Sequence, residues 1–466
     1  MDCKFTRPQP AIGVLKCLLV FCLFASGALL RAQAEFVDWS PPRFAITGVT
    51  LIDGTGTIPL PNQTIIVAEG RIERVGPTDS LSLPSGLPRI IGSGHTLIPG
   101  IVGVHNHLHM PGRTFLGPAA ARLSLAAGVT TMMTCGAADP DRERQLAEQI
   151  GSGSVSGPEI ILSAPYITGP EGSAVMVNAG AEKPLRDTIR YWADRGVRWF
   201  KVYRHTRPED LAIVVDEAHR LGARVTGHLC ATTLAEAARL GIDGVEHGLN
   251  AASDFRIGKT PGRCDGDHGY IDHLDLSADT VTTVLQTLVD AGTTLTSTLS
   301  IYEASVAGRY PPTPRILEAM TPSYRSRYVH APPAVVDTLR LHRLRRIMAF
   351  ERRFVELGGL LAAGPDPGRY NLPGYGDQRN FELLREAGFS TEATVRILTA
   401  NGARVLGRDD IGMVKAGMRA DLVLLEGDLA ADPAVINAVS RVFRAGIGYD
   451  VQRLIRSVAG QIGPEN

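Results

Sequence analysis

The sequence predicts an α/β fold, a (β/α)8 TIM barrel with a small composite β-sandwich domain formed by both termini. Eight apolar strand segments alternate with helical segments in the middle of the chain, and short strands with glycine turns dominate both ends. Polar residues of the types that bind metal ions follow several of the central strands. A doubly wound sheet is the alternative, but no glycine-rich dinucleotide fingerprint follows the first central strand.

The first 34 residues predict a secretory signal peptide. Basic residues up to Lys16 precede the apolar run CLLVFCLFASGALL, and Ala32 and Ala34 form a small-residue cleavage site. The run is shorter than the roughly 20 residues that a membrane-spanning helix needs, although an uncleaved anchor stays open. We therefore expect a secreted or periplasmic protein that is free of the membrane after signal cleavage.

Charge and cysteine content limit the partners and the covalent structure. The formal net charge is zero, which gives no general attraction for nucleic acid or anionic membranes, so a small-molecule substrate is the expected partner. A homo-oligomer is left open. Outside the leader the chain keeps Cys135, Cys230 and Cys264. This odd number excludes a fully paired disulfide framework, while one disulfide remains possible.

The two strand-rich ends predict one composite β domain. Segments such as FAITGVTLIDG near the start and MRADLVLLEGD near the end are short alternating runs divided by glycine, proline or asparagine. Because both ends have this texture, we expect residues 43–98 and 409–460 to form one domain. The barrel is expected to occupy residues 99–408.

The predicted barrel strands follow in order between these ends. They are LIPGIVGVHNH, GVTTMMTCG, PEIILSAPYI, VRWFKVYR, RVTGHL, GVEHG, TTLTSTLS and LLAAGPD. Helical segments such as RPEDLAIVVDEAHRLG and TTLAEAARLG lie between them and end at glycine, a common helix stop. In this fold the catalytic side chains come from the carboxyl ends of the strands, so candidate site residues are sought there.

Five of these strand ends carry residues that bind metals. Alternate residues of a strand share a face, so the two histidines that end strand one point the same way. Each residue alone has an ordinary structural interpretation, as a core histidine, a lysine extending past apolar neighbours or a turn aspartate. Together they predict a metal site at one rim, made of His105, His107, Lys201, His228, His247 and Asp366.

These segments closely resemble the amidohydrolase superfamily, especially its secreted imidazolonepropionase-like and prolidase-like members. The resemblance covers nearly the whole chain after the leader, and its motifs are specific in combination. They are IPGIVGVHNHL, FKVY, DEAHRLGARVTGHL, AARLGIDGVEHG, AAGPD and TANGARVLGRDDIGMVKAGMRADLVLLEGD.

The resemblance implies two divalent metal ions, with zinc expected because imidazole and carboxylate ligands suit it. A buried lysine loses its proton more readily, so its neutral amine could capture carbon dioxide and form a carbamate. The implied ligand sets are His105, His107 and Asp366 for one ion, His228 and His247 for the second, and carboxylated Lys201 as the bridge between them.

The resemblance also implies a reaction, the hydrolysis of carbon–nitrogen bonds rather than ester bonds. A hydroxide that bridges the ions would attack amide or peptide-like bonds of dipeptides or N-acyl amino acids. Asp366 would move the proton to the leaving amine, and Tyr203 could stabilise an oxyanion or simply pack in the barrel. A hydrolytic deaminase or a lactonase-type hydrolase is the alternative, although deaminases of this superfamily usually lack a residue like Lys201. A non-catalytic scaffold is disfavoured because all six ligands are present.

Some positions depart from the family pattern or have an open role. Gly103 stands where relatives often have aspartate, and Pro365 replaces a usual threonine. His109 is expected either in the substrate pocket or on a surface loop. Cys135, near the rim, is expected to be structural rather than nucleophilic. The loop after strand four contains Arg204, His205 and Arg207, and it could hold a carboxylate or be solvated. Further pocket walls are expected from the long connection after strand six and from Tyr302 and Glu303.

Overall fold

The structure is a computed structural model that describes residues 35–110, 114–172, 176–178, 180–329 and 335–464. The predicted leader lies outside these residues. Within the described ranges, no helix combines the length and the apolar character that crossing a membrane requires.

The strands of the described chain are numbered in chain order. The first group is β1 (Val37–Trp39), β2 (Arg43–Leu51), β3 (Leu60–Ala68), β4 (Arg71–Pro77), β5 (Arg89–Ile91) and β6 (His95–Pro99). The central group is β7 (Ile101–Asn106), β8 (Val129–Thr134), β9 (Glu159–Ile161), β10 (Ile167–Thr168), β11 (Val177–Asn178), β12 (Trp199–Val202), β13 (Arg224–Gly227), β14 (Gly244–Glu246), β15 (Thr294–Ser297) and β16 (Leu361–Ala363). The last group is β17 (Leu422–Glu426), β18 (Val439–Arg444) and β19 (Ile447–Asp450).

The α-helices lie mainly between the central strands. They are α1 (Gly117–Ala126), α2 (Pro140–Gly151), α3 (Glu182–Asp194), α4 (Pro208–Arg220), α5 (Leu234–Arg239), α6 (Tyr270–His273), α7 (Asp279–Asp290), α8 (Leu299–Glu303), α9 (Pro314–Ala319), α10 (Pro322–Val329), α11 (Thr338–Glu356), α12 (Tyr375–Glu386), α13 (Thr391–Leu398), α14 (Ala400–Val405) and α15 (Val451–Arg456). Short 3-10 turns occur at Thr78–Ser80, Gly248–Ala251, Ser253–Phe255 and Pro433–Asn437.

Eight of the central strands follow one another in parallel around a barrel. β7, β8 and β9 form one parallel sheet, and β12 to β16 form a second in sequence order. The first junction is a parallel bridge between Ser163 and Trp199. At the second, the Asp366 amide donates to the His105 carbonyl at 3.0 Å. These eight strands match the eight predicted segments, so the predicted fold class is confirmed.

Two barrel helices illustrate how the sequence selects these elements. α4 begins with Pro208 and buries Leu211, Val214, Val215 and Ala218, which recur at the spacing of one helix face. α5 begins with a capping box in which the Thr233 side chain accepts from the Glu236 amide and Glu236 reaches back to the Thr233 amide. Each of these helices therefore connects one barrel strand to the next, as its sequence pattern predicts.

Strands from both ends of the chain form the remaining sheet. Its order is β1-β19-β18-β17-β6-β2-β3-β4, with β5 added beside β2. β6 joins its two parts, because it is antiparallel to β17 and pairs in parallel with the end of β2. The sheet folds over a separate apolar core, in which Phe44 and Phe443 stack with ring centres 5.6 Å apart. β1 precedes the predicted start at residue 43, and the domain limits remain a prediction.

Candidate metal centre

The predicted ligands gather at the carboxyl ends of the barrel strands, beside a cavity of about 180 Å³. Lys201 is buried within β12, His228 follows β13, and His247 and Asp366 follow β14 and β16. His105 is fully buried at the end of β7, beneath the cavity wall. The cavity is lined by His107, His109, Met110, Tyr166, Lys201, Tyr203, His228, His247, Asp366 and Pro367.

Asp366 lies at the centre of this group. Its Oδ1 is 3.1 Å from His107 Nε2 and 3.6 Å from His105 Nε2, and its Oδ2 is 4.0 Å from His247 Nδ1. Lys201 Nζ lies 3.0 Å from His105 Nε2. Two ligands on one tetrahedral zinc ion would be about 3.4 Å apart, given bonds of about 2.0–2.2 Å. The donor atoms therefore lie at separations that suit a shared cation.

Three imidazoles that line the cavity, those of His107, His228 and His247, favour the neutral form that binds metals. Burial, together with the nearby Lys201 charge, holds the pKa of His228 and of His247 well below its ordinary value. Burial also lowers the pKa of His107 to about 4. The ring centres of His228 and His247 lie 4.3 Å apart, and Asp366 Oδ2 is 4.0 Å from His247 Nδ1. Neutral rings facing one cavity fit a cationic ligand.

Neighbouring groups stabilise the charged forms of Asp366 and Lys201. Desolvation alone would raise the pKa of Asp366, but His105 and His107 outweigh it and hold that pKa well below its usual value. Burial alone would lower the pKa of Lys201, yet Cys135, Glu246 and Asp366 raise it on balance. This differs from the expectation that burial would free the Lys201 amine. The protein's own charges favour the ammonium form, so carboxylation would depend on positive charge brought by bound cations.

Glu246 contacts a predicted ligand, and its position could not be predicted from the strand ends. Its Oε2 lies 2.6 Å from His105 Nδ1, and its Oε1 accepts hydrogen bonds from Thr226 and, at 3.5 Å, from Cys135. Strand alternation would place Glu246 and His247 on opposite faces, but His247 has a left-handed backbone with φ of 71°. Both side chains therefore reach the site. The acid directly before the ligand histidine was the available sequence signal.

Two further partners orient ligand histidines. Thr298 Oγ1 lies 2.9 Å from His247 Nδ1, and Tyr166 OH lies 3.2 Å from His107 Nδ1. Tyr166 OH is also 3.4 Å from His109 Nε2. A bond to one ring nitrogen fixes the orientation and the protonation of the other, so these contacts help to determine which nitrogen faces the cavity. Nothing in the spacing of the sequence distinguished these two residues.

The remaining predicted positions have distinct environments. Tyr203 lines the cavity with its ring centre 5.0 Å from that of His228, and half-buried His109 lies at the cavity rather than on an exposed loop. Cys135 is buried beside Glu246, which fits a structural role. The ring centres of Tyr302 and His247 lie 6.0 Å apart. The prediction that Glu303 forms part of the pocket wall is wrong. Glu303 is buried in ion pairs with arginines outside the cavity, namely Arg309 and Arg379.

Asp377, from α12, occupies the neighbourhood of the family's missing aspartate. A side chain at Gly103 would place its first carbon 2.9 Å from Asp377 Oδ1 and closer still to the Asn106 amide. Burial raises the pKa of Asp377 to about 7. A later helix therefore supplies a carboxyl group beside β7, and the small residue at Gly103 leaves room for it.

One disulfide braces the strand-six connection. Cys230, two residues beyond His228, is bonded to Cys264, while Cys135 is free. Lys259 Nζ adds a hydrogen bond to the Ala231 carbonyl at 2.9 Å. The sequence left a single disulfide open, and the structure identifies which two cysteines form it.

Replacing His228 or His247 with alanine should reduce bound metal to about one ion per chain, because each implied second-ion ligand is a histidine in a polar cavity. Metal analysis of the purified variants measures this loss. The control is His219→Ala, since His219 pairs with Asp243 on the surface and lies outside the cavity. Retention of two ions with unchanged turnover would identify the substituted residue as a structural histidine.

The chain resembles known proteins in sequence and in fold. The sequence model of the amidohydrolase family matches residues 377–447. Dihydroorotase of Mycobacterium tuberculosis is 29% identical over 147 residues, which cover 28% of this chain and 31% of that protein. The match thus spans about a third of the length of this curated relative.

Two solved structures extend the likeness over most of the chain. A putative prolidase from Bifidobacterium longum matches with a TM-score of 0.65 and 24% identity, covering 91% of this chain and 99% of that one. A Xaa-Pro dipeptidase with bound methionine matches with a TM-score of 0.65 and 17% identity, covering 88% and 100%. At identities of 24% and 17%, these two structures support the fold alone.

Proposed function

We propose that the chain is a member of the amidohydrolase superfamily and a metal-dependent hydrolase of small amide or peptide-like substrates. Dipeptides and N-acyl amino acids are the proposed substrate classes. The proposal rests on one observation: four imidazoles, one carboxylate and one lysine amine lie around a single cavity. The relatives named as a prolidase and a dipeptidase support the substrate class.

The donor set fits two divalent ions, and we propose zinc. His105, His107 and Asp366 would hold one ion, and His228 and His247 the other. Lys201, as a carbamate formed with carbon dioxide, would bridge them. When bound, the ions would polarise the scissile carbonyl and lower the pKa of a water molecule between them.

The chain's own residues supply orientation and proton transfer. Asp366 lies at the centre of the cavity wall, where its carboxylate can accept the proton of the attacking water and pass it to the leaving amine. The Tyr203 hydroxyl group can donate to the carbonyl oxygen of the substrate. Glu246 accepts a hydrogen bond from Nδ1–H of His105. This leaves Nε2 of that ring free to face Lys201.

We also propose secretion or a periplasmic location. The N-terminal segment has the composition of a signal peptide. The Cys230–Cys264 bond supports the same conclusion, because disulfides persist mainly in oxidising compartments.

Metal analysis combined with a substrate screen tests the proposed function. We expect about two ions per chain, with dipeptide or N-acyl amino acid hydrolysis that stops on chelation and returns with zinc. One ion with release of ammonia would favour the deaminase alternative, and lactone opening without amide cleavage would favour the lactonase. A protein that binds no metal and turns over no substrate would be a scaffold.

A further inference from the structure

Arg204 has an unusual position for a charged side chain. It follows Tyr203 at the end of β12, and its side chain is half-buried. Its Nε is buried and has no hydrogen-bond partner among the described residues. By contrast, the neighbouring Arg207 pairs with both Glu209 and Asp210. A buried donor without an acceptor costs free energy, which an acceptor on a ligand would recover.

The Arg204 guanidinium lies beside the loop after strand six, and the preceding residue, Tyr203, lines the cavity. A side chain at Gly266 would place its first carbon 3.1 Å from Arg204 Nη2. Besides burial, the charge of Arg204 contributes to the lowered pKa of His228 on one side and of His268 on the other. The Arg204 carbonyl accepts from the Ala231 amide at 2.8 Å, which holds the end of β12 against the segment after β13.

The carboxylates of this loop are engaged elsewhere. Asp265 contacts Arg256, a side chain only 5% exposed, and Asp267 accepts from the Gly269 amide at 2.8 Å. Two acids on neighbouring segments are also occupied. Asp254 accepts from the first amides of α5, and Glu171 lies 3.4 Å from Arg263 and 3.8 Å from His205. The surroundings of Arg204 therefore hold a positive charge without a matching acid among the described residues.

We infer that Arg204, with His268 beside it, binds the free carboxylate of the substrate and selects N-acyl amino acids and dipeptides over their amides. This inference rests on the proposed function. A guanidinium matches a carboxylate with two parallel hydrogen bonds, whereas a neutral amide cannot accept in the same way. In an N-acyl amino acid the carboxylate is one carbon from the scissile nitrogen. A cation adjoining the metal centre is where that group would lie.

The test compares Arg204→Gln with the control Arg207→Gln on a matched pair of probes, N-acetyl-L-leucine and N-acetyl-L-leucinamide. Release of the acetyl group gives kcat and KM, and calorimetry gives the binding of N-acetyl-L-leucine. We expect Arg204→Gln to lower kcat/KM for the acid by roughly 10–100-fold, mainly through KM, as loss of a charged hydrogen bond predicts. Its binding should weaken to a similar degree. The leucinamide value and the Arg207→Gln enzyme should change little.

Four results would overturn the inference: equal losses on acid and amide, no loss on either, a wild-type enzyme that does not bind the acid, or a wild-type enzyme that cleaves acid and amide equally well. Failure of the proposed function gives a different result. In that case N-acetyl-L-leucine would bind in an Arg204-dependent manner but no leucine would be released. If the wild-type enzyme cleaves acid and amide equally well, the hydrolase proposal survives and the carboxylate site does not.

Discussion

Lys201→Ala is expected to abolish measurable turnover and to lower the metal content. Lys201 is almost fully buried, and its Nζ is 3.0 Å from His105 Nε2, so alanine would leave the proposed bridging position without a ligand atom. A short carboxylic acid such as propionate should restore part of the activity by supplying oxygens in place of the carbamate. Metal analysis and turnover with and without propionate measure both effects.

Two controls separate this result from a general loss of structure. Lys183→Ala removes an exposed lysine that pairs with Asp187 on α3, and it should leave both metal and turnover unchanged. Circular dichroism of Lys201→Ala checks the fold, since the variant removes one positive charge beside Glu246 and Asp366. Full activity with two bound ions in Lys201→Ala would contradict the carbamate proposal.

Asp366→Asn is expected to lower turnover by roughly 10²–10⁴ while metal content falls only modestly. Asparagine keeps the size and one oxygen of the side chain but lacks a basic carboxylate. The backbone should be preserved, because Asp366 has a left-handed φ of 47° and asparagine tolerates that region well. Metal content and turnover, measured on the same preparation, separate ligand loss from proton-transfer loss.

The matched control is Asp187→Asn, which removes an exposed carboxylate whose ion-pair partners, Lys183 and Arg190, do not line the cavity. It should retain normal turnover. Two bound ions together with near-normal turnover in Asp366→Asn would mean that the proton takes another route. His109, which lines the cavity, and His205, in the loop after β12, would then be the first residues to substitute.

The sequence was sufficient to locate the strand ends but not the local geometry around them. His105, His107 and Asp366 could be predicted together because parallel strands in a barrel bring their carboxyl ends to one rim. Glu246 could not, because its place depends on the left-handed backbone of His247, which reverses the strand alternation. Backbone conformation at a single residue is not specified by hydrophobic pattern.

Partners that come from distant loops were also beyond the sequence pattern. Thr298 and Tyr166 follow strands that carry no predicted ligand, so their contacts with His247 and His107 depend on how the loops pack. The role of Glu303 was mistaken for a similar reason. Its position after strand seven suggested the rim, but Arg309 and Arg379 draw its carboxylate into a separate buried cluster.

The Cys230–Cys264 bond has a consequence for how any preparation of this chain behaves. It ties the segment just after His228 to the loop that holds His268, across a sequence separation of 34 residues. The proposed metal ligands belong to the barrel strands and their ends, and none of them is one of these two cysteines. Protein made in a reducing cytosol is therefore expected to keep the proposed metal centre and to lose the covalent link of one wall. Two preparations of identical sequence and equal metal content would then differ in how strongly they discriminate between substrates. The oxidation state of the Cys230–Cys264 pair would explain this difference.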